Sequence, residues 1–75
     1  MDWQPLDSKM FAAVAFVPTT ETLYLRFRSG DIYRYFDFPE AQYQEFLKAE
    51  SRGRYFLTHI RGRFRYQRIA QSNAT

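Results

Sequence analysis

The stretch that decides the fold is SGDIYRYFDFP, residues 29 to 39. Its first two residues, Ser29-Gly30, are typical of a hairpin turn, and Asp31 to Phe38 has the aromatic and β-branched content of the strand that returns from such a turn. Pro39 suits the first position of a helix, where its missing N–H costs no hydrogen bond. The segment therefore predicts a β-hairpin on its N-terminal side and a helix on its C-terminal side.

Two further strands are predicted before this segment. Thr22 to Arg28 alternates Leu and Phe with Tyr24 and Arg26, which indicates a strand with one apolar face and one aromatic and cationic face. Lys9 to Val17 is almost entirely apolar and suits a strand that is covered on both faces. With the strand after the turn, these make a three-stranded antiparallel meander.

Two short helices are predicted after the proline. Tyr43, Phe46 and Leu47 recur at the i, i+3, i+4 spacing of an amphipathic helix. Ser51 can cap a second helix. That helix is expected over Arg54 to Arg61.

The rest of the chain alternates arginine with aromatic residues. Arg63 to Ile69 contains Phe64 and Tyr66 between arginines, which predicts an extended arm or an edge strand. The fold is therefore predicted to be α+β, a three-stranded antiparallel meander followed by a two-helix hairpin packed on one face and an extended basic C-terminal arm. The 75 residues are expected to form one domain, with disordered or frayed ends at about residues 1–7 and 70–75.

The register of the hairpin at Ser29-Gly30 has two solutions. With a two-residue turn, Leu25 faces Arg34, and both Tyr33 and Tyr35 lie on the face opposite the core. With a three-residue loop that starts one residue earlier and places its glycine in a bulge, Leu25 faces Tyr33 and both tyrosines join the core side. Two-residue turns prefer Asn-Gly, Asp-Gly or a leading glycine, so the turn chemistry favours the bulge.

Charge is distributed unevenly along the chain. Residues 1–50 carry eight acids and five bases, a net charge of −3, whereas residues 51–75 carry six arginines and no acid, a net charge of +6. Such a one-signed segment indicates an anionic partner. The candidate phosphate-binding residues are Arg52, Arg54, Arg61, Arg63, Arg65 and Arg68, with Arg26 and Arg34 on the sheet as secondary contacts.

Aromatic rings are interleaved with these arginines. Tyr24, Tyr33 and Tyr66 are the candidate stacking residues. Guanidinium groups beside exposed rings are typical of surfaces that bind single-stranded or looped RNA. The alternative is a solvated basic tail whose arginines pair with the glutamates of the first helix.

Catalytic and metal-binding chemistry has little support. The chain has no cysteine and a single histidine, His59, so it lacks a set of residues for a zinc site. Ser51, His59 and Asp37 could be written as a triad, but no nucleophile-elbow motif surrounds the serine. A helix N-terminus near Gly53 could hold one phosphate, although a glycine at a helix break accounts for the same residue. We predict no catalytic residue, no metal and no cofactor, and a protein that is not an enzyme.

The apolar run from Met10 to Val17 raises the question of a signal peptide. The preceding residues contain Asp2 and Asp7 against the single Lys9, which is not the positive region that a signal peptide requires. Eight residues are also too few to span a bilayer. We therefore expect a cytoplasmic protein with no membrane association.

The order and spacing of several motifs resemble the KTSC domain. The residues that carry the resemblance are Leu23-x-Leu25-x-Phe27, Gly30, Tyr33-x-Tyr35, Pro39, Tyr43, Ala49-x-Ser51-x-Gly53, Tyr55-Phe56 and Ile60-Arg61. The resemblance covers about residues 8 to 68, and Phe38 stands where many relatives carry valine. The family is named for the C-terminus of some lysyl-tRNA synthetases, and it also occurs as stand-alone small bacterial proteins.

The resemblance implies a small bacterial domain of unestablished activity that is suspected of RNA binding, and it brings no catalytic residues. Combined with the basic C-terminal segment, it predicts a non-catalytic RNA-binding module whose partner is tRNA or single-stranded RNA. The alternative is a protein–protein interaction module or a homodimer, because an exposed aromatic face with arginines also suits a protein partner.

Overall fold

The computed structural model describes residues 1–70, and one antiparallel sheet dominates them. Its strands are β1 (Gln4–Pro5), β2 (Phe11–Val17), β3 (Thr22–Phe27), β4 (Ile32–Tyr35) and β5 (Tyr66–Ala70). Their order in the sheet is the order in the chain, β1-β2-β3-β4-β5. Helices α1 (Glu40–Lys48) and α2 (Arg52–Tyr55), with a π-helix at Phe56–Ile60 directly after α2, lie in the connection between β4 and β5.

The predicted arrangement of a three-stranded meander with a C-terminal arm is wrong, although the α+β class is consistent with the structure. The sheet has five strands because β1 pairs with β2 and β5 pairs with β4. β1 has only two residues, one of them Pro5, and it lies within the segment that was expected to be frayed. β5 lies in the predicted arm, but its partner β4 is remote in the chain, so its pairing is a tertiary contact. The fraying predicted for residues 71–75 lies outside the described residues.

The turn between β3 and β4 has the register that the bulge predicts. Leu25 pairs with Tyr33, and Leu23 pairs with Tyr35. The Gly30 N–H donates to the Phe27 carbonyl at 2.9 Å, and the φ of Gly30 is 100°, a region that L-residues with a side chain rarely adopt. This register places Tyr33 and Tyr35 on the side of the sheet that carries the helices.

The helical connection begins and bends where the sequence predicted. Pro39 precedes α1 with a φ of −66°, and Glu40 lies in the first turn. The Ser51 Oγ accepts a hydrogen bond from the Arg54 N–H at 3.2 Å, which confirms that Ser51 caps the second helix. That helix begins two residues earlier than predicted and continues as a π-helix, in which the Arg61 N–H donates to the carbonyl of Phe56, five residues back.

The core lies between the sheet and the helices and is built mainly of aromatic rings. The ring of Phe11 is fully buried, and its centroid lies 4.9 Å from that of Phe27, 5.7 Å from that of Phe46 and 5.4 Å from that of Phe56. Because each ring buries a large area, few residues suffice to fill a core of this size. The other fully buried large side chains are Phe38, Phe46, Leu23, Leu25, Ile60 and Val14.

Within residues 1–70, no helix is long and apolar enough to cross a membrane.

Candidate functional site

One side of the sheet carries no helix, and we call it the sheet face. Strand register places Tyr24, Arg26, Ile32 and Arg34 on this side, because residues that pair across antiparallel strands project from the same face. Gln67 of β5 pairs with Arg34 and joins them. The sheet face is therefore the surface on which Tyr24 and the two secondary arginines of the sequence analysis come together.

Trp3 lies at the β1 end of the sheet face. Its ring makes an edge-on contact with that of Tyr24, with centroids 6.4 Å apart. The guanidinium of Arg26 lies over the Trp3 ring, with Cζ 4.6 Å from the ring centroid. A guanidinium held over a ring is oriented by the cation–π attraction, and its N–H edges remain able to donate to an anion.

Phe36 forms a second ring-and-arginine group at the other end of the sheet face. The Cζ of Arg34 lies 5.3 Å from the Phe36 centroid, and that of Arg65 lies 4.7 Å from it. Arg65 reaches this position because the Phe36 N–H donates to the Arg65 carbonyl, which extends the β4–β5 pairing by one step. The Arg34 guanidinium also donates two hydrogen bonds to the Gln67 Oε1, at 3.0 and 2.5 Å.

The charge of the strands has one sign. None of the five strands of the described chain contains Asp or Glu, whereas Arg26, Arg34 and Arg68 lie within them. Within residues 1–70, no ion pair joins the arginines to the glutamates of α1 or to Glu50. The described residues therefore do not show the alternative in which the arginines pair with the glutamates of the first helix.

The remaining predicted aromatic residues lie on the opposite side of the sheet. Tyr33 and Tyr66 are on the helix side, where they line a cleft together with Tyr35 and Arg61. Arg68 pairs with Tyr33 and projects from the same side of β5. We call this the tyrosine cleft. The predicted stacking residues are thus split between two surfaces that meet at β5.

Three of the predicted phosphate-binding arginines lie away from both surfaces. Arg52 is half-buried and donates from Nη2 to the Leu47 carbonyl at 2.8 Å, and its Nε is buried without a hydrogen-bond partner in the described chain. Arg52 therefore holds the C-terminus of α1 and serves the fold. Arg54 is exposed on α2, and Arg63 is exposed in the turn before β5.

Burial changes the acidity of three tyrosines. It raises the pKa of Tyr35, which is 5% exposed, and the neighbouring Tyr33 and Tyr66 raise that pKa further while Arg61 opposes them. Burial also raises the pKa of Tyr43. The pKa of Tyr55 is raised by burial and by the hydrogen bond that its hydroxyl donates to Glu45, at 2.8 Å. These tyrosines remain protonated donors near neutral pH.

The residues considered for catalysis and for metals have other contacts. Ser51 caps α2, and the ring of His59 lies on the helix surface, with its centroid 4.6 Å from that of Tyr55. The part of the chain that the structure describes contains no group of three or more His, Cys, Asp or Glu residues that could hold a metal ion. Gly53 lies within α2, where the methyl carbon of Met10 approaches the position of a Cβ to 3.4 Å.

The predicted site residues did not include three residues of the sheet face. Trp3 precedes a two-residue strand that has no periodic pattern, so only its contacts reveal its place. Phe36 was assigned to a strand, but the approach of the Arg65 guanidinium to its ring depends on the pairing of β4 with β5. Gln67 is polar and uncharged, and only the register brings it to Arg34.

Comparison with known proteins gives a family match, relatives in sequence and a similar crystal structure. The KTSC domain family matches residues 7–64. A lysine–tRNA ligase of Nostoc sp. is 39% identical over 64 residues, which are 85% of this chain and 11% of the ligase. A protein of Tsukamurella paurometabola is 36% identical over 62 residues, 83% of this chain and 92% of that protein. The chain therefore spans about a tenth of the ligase and nearly all of the small protein.

The fold has a counterpart among crystal structures. A KTSC domain protein from Yersinia pestis is 32% identical, with a TM-score of 0.89 over 92% of this chain and 97% of the other. The family match covers the β2–β3–β4 meander, both helices and the Tyr33-x-Tyr35 motif. The chain belongs to the KTSC domain family, and it is related to a region found in lysine–tRNA ligases.

Proposed function

We propose that this KTSC domain is a non-catalytic RNA-binding module and that its sheet face contacts the nucleic acid. The observation that carries the proposal is the alternation of guanidinium groups and rings on that face. Arg26 lies over Trp3, and two further arginines lie near the ring of Phe36. Aromatic rings provide stacking platforms for unpaired bases, and oriented guanidinium groups donate to phosphate oxygens.

The charge distribution supports the same partner. The strands contain no acid, and Arg26 and Arg34 project from the sheet face, so this face attracts a polyanion. Related lysine–tRNA ligases, whose name denotes action on tRNA, contain a similar region. That relation makes tRNA a reasonable first ligand, and single-stranded RNA tests whether unpaired bases suffice.

The experiment measures the affinity of a labelled single-stranded RNA and of bulk tRNA by fluorescence anisotropy, from ~50 to ~200 mM salt. We expect the logarithm of the association constant to fall linearly with the logarithm of the salt concentration, because each neutralised phosphate releases condensed counterions. Trp3 is the single tryptophan and lies on the proposed surface, so its emission should change with saturation.

Single-charge substitutions locate the surface. Arg34→Gln and Arg65→Gln should each weaken binding and reduce the steepness of the salt dependence by about one phosphate contact. Lys48→Gln removes the same charge from the end of α1, on the helix side, and is the matched control. Binding that does not depend on salt, or an equal effect of all three substitutions, would contradict a phosphate-binding sheet face.

Self-association is the second candidate, and β5 favours it. This strand is last in the sheet order and all five of its residues are exposed; Tyr66 is 58% and Ile69 43% exposed. An exposed edge strand can pair with another copy of the same chain. Sedimentation velocity over a range of concentrations tests this, and a dimer that forms without any RNA binding would replace the first proposal.

A further inference from the structure

The tyrosine cleft is a second concave surface, on the helix side of the sheet and apart from the sheet face. Its volume is about 560 Å³, which falls within the usual range of small-ligand sites. Apolar side chains from β3 and from the π-helix form one wall, among them Phe27, Phe56 and Leu57. Tyrosines of β4 and β5 form the other.

Three tyrosine rings contribute to this cleft as a group. The ring centroids of Tyr33 and Tyr35 are 6.4 Å apart, those of Tyr33 and Tyr66 are 5.8 Å apart, and those of Tyr35 and Tyr66 are 5.9 Å apart. Tyr33 and Tyr35 are nearly parallel, with 22° between their planes. Tyr66 is 58% exposed, so a large aromatic face is open to solvent at the entrance.

The Tyr35 hydroxyl is a polar group at the wall of the cleft. The Tyr35 residue is 95% buried and lines the cleft, but its hydroxyl is not a fully buried atom that lacks a partner, a description that within residues 1–70 fits only the Arg52 Nε. A hydroxyl that borders a cleft can exchange its contact with water for a hydrogen bond to a ligand. The raised pKa keeps this hydroxyl protonated near neutral pH, so it can donate to a ligand atom.

Arg61 supplies a positive charge at the same place. It lines the cleft, it is exposed, and it is close enough to Tyr35 to act against the rise of its pKa. Its side chain forms no ion pair or hydrogen bond with another described residue. The lining of the cleft therefore combines aromatic faces, hydroxyl groups, the Arg61 guanidinium and, from the β3–β4 turn, the Asp31 carboxylate. The rings are complementary to a planar base, and the guanidinium is complementary to a phosphate that lies on its side of the cleft.

We propose that the tyrosine cleft binds a single unstacked nucleobase, with the adjoining phosphate at Arg61. This inference rests on the proposed function for the source of its ligand, an unpaired nucleotide of an RNA strand that also contacts the sheet face. Tyr66 stacks on the base at the entrance, and the Tyr35 hydroxyl donates to an acceptor on its edge. β5 joins the two surfaces, since Gln67 projects to one and Tyr66 to the other.

The first experiment uses mononucleotides and amide chemical shifts. Adenosine 5′-monophosphate should shift the amides of Tyr33, Tyr35, Leu57, Arg61 and Tyr66. Ribose 5-phosphate, which has the phosphate and no base, should shift them much less. Trp3 emission should stay constant in both titrations, because the ligand occupies the opposite side of the sheet.

The second experiment compares an oligoadenylate with an abasic strand of the same length. In wild type the oligoadenylate should bind more tightly by about fivefold or more, the lower end of what stacking one base contributes. Tyr66→Leu should lower that preference by about fivefold, the contribution of the base in the cleft, and leave affinity for the abasic strand unchanged. Arg61→Gln should weaken both strands, whereas the control Lys48→Gln, which changes the same charge, should act less. Tyr66 is exposed, so the leucine variant is expected to fold.

The outcomes separate this inference from the proposed function. If both strands bind equally through the sheet face and mononucleotide shifts scatter, the cleft proposal is overturned and RNA binding stands. If no strand binds but adenosine monophosphate shifts the cleft amides, RNA binding fails and the nucleotide site stands. If neither binds, both fail. A proline-rich peptide that shifts the cleft amides when the nucleotide does not would show a peptide groove instead.

Discussion

Removing the Tyr35 hydroxyl is expected to stabilise the domain. In Tyr35→Phe the ring and its contacts stay, including that with Phe56, whose centroid lies 5.9 Å away. What is lost is a hydroxyl that is partly withdrawn from water and borders the tyrosine cleft. Most substitutions in a core destabilise, so a gain would distinguish this residue from its neighbours.

The size of the gain is bounded by the cost of fully burying an unpaired hydroxyl, which mutational data put at roughly 1–3 kcal/mol. The Tyr35 hydroxyl borders an open cleft and is only partly desolvated, so the gain lies below this range. We expect the free energy of unfolding to rise by no more than about 1 kcal/mol, which corresponds to a rise of at most about 4–8 °C in the Tm of a domain of this size. Tyr24→Phe removes a hydroxyl from a half-buried ring on the other face and should change stability by less than about 0.5 kcal/mol.

The same substitution changes how stability depends on pH. The pKa of Tyr35 is raised in the folded state above the ordinary value of 10.0, so below that value both states carry the proton and stability is at its full level. As the pH rises above 10.0 the unfolded state loses its proton first, and the free energy of unfolding falls. Tyr35→Phe should lose less stability than wild type in this alkaline range. A smaller decline persists, because Tyr43 and Tyr55 are shifted in the same direction.

Urea denaturation at pH 7 and at pH ~11 measures both effects in wild type, Tyr35→Phe and Tyr24→Phe. A loss of about 1 kcal/mol or more for Tyr35→Phe at pH 7 would refute the reasoning, because it would mean that the hydroxyl makes a stabilising hydrogen bond. An unchanged alkaline decline would show that Tyr35 does not contribute to it.

Three further predictions concern stability and use chemical denaturation. Gly30→Ala should cost about 1–3 kcal/mol because the φ of Gly30 is 100°. Gly53→Ala should be neutral or gain up to about 1 kcal/mol, since its Cβ would meet the Met10 side chain at 3.4 Å or more. Equal effects of the two substitutions would show that a side chain does not strain the turn. Arg28→Ala removes two hydrogen bonds to the backbone of the N-terminal segment, at 3.0 and 2.9 Å. It should lower the free energy of unfolding by about 1–2 kcal/mol and shift Trp3 emission to the red. Unchanged emission would mean that other contacts hold the segment. Arg52→Ala should lower the free energy of unfolding by about 1.5 kcal/mol, because it removes the hydrogen bond to the Leu47 carbonyl. The salt dependence of RNA binding should not change. A changed salt dependence would show that Arg52 contacts the RNA.

The sequence predicted the features that depend on residues close together in the chain. The register between β3 and β4 follows from the position of one glycine in the turn, and the cap of α2 follows from one serine before a helix. Leu25 faces Tyr33 in the structure because a bulge accommodates Gly30 where its φ is positive. These features depend on residues within a few positions of one another.

The parts that were missed depend on pairing between remote segments. The segment of β5 was expected to be an extended arm or an edge strand, and nothing near Tyr66 in the chain indicates that β4 is its partner. Arg52 was expected to bind phosphate, since a sequence does not show that its side chain turns back to the Leu47 carbonyl. Trp3 was passed over for the same reason. The register between β3 and β4 places Tyr24 on one side of the sheet and Tyr33 on the other. The position of Tyr66 beside Tyr33 depends on the pairing of β5 with β4.

The sheet order has a consequence for how the domain assembles and opens. β1 to β4 are joined by short connections and pair as neighbours along the chain. β5 is separated from its partner β4 by the whole helical connection. Pairings that close a long loop form late and are among the first to open, particularly when the strand buries little apolar surface, and all five residues of β5 are exposed. We expect the amides of β5 to exchange with solvent through local opening while β2 and β3 stay protected. The strand that borders both surfaces can then detach and re-pair around a bound strand without unfolding the core.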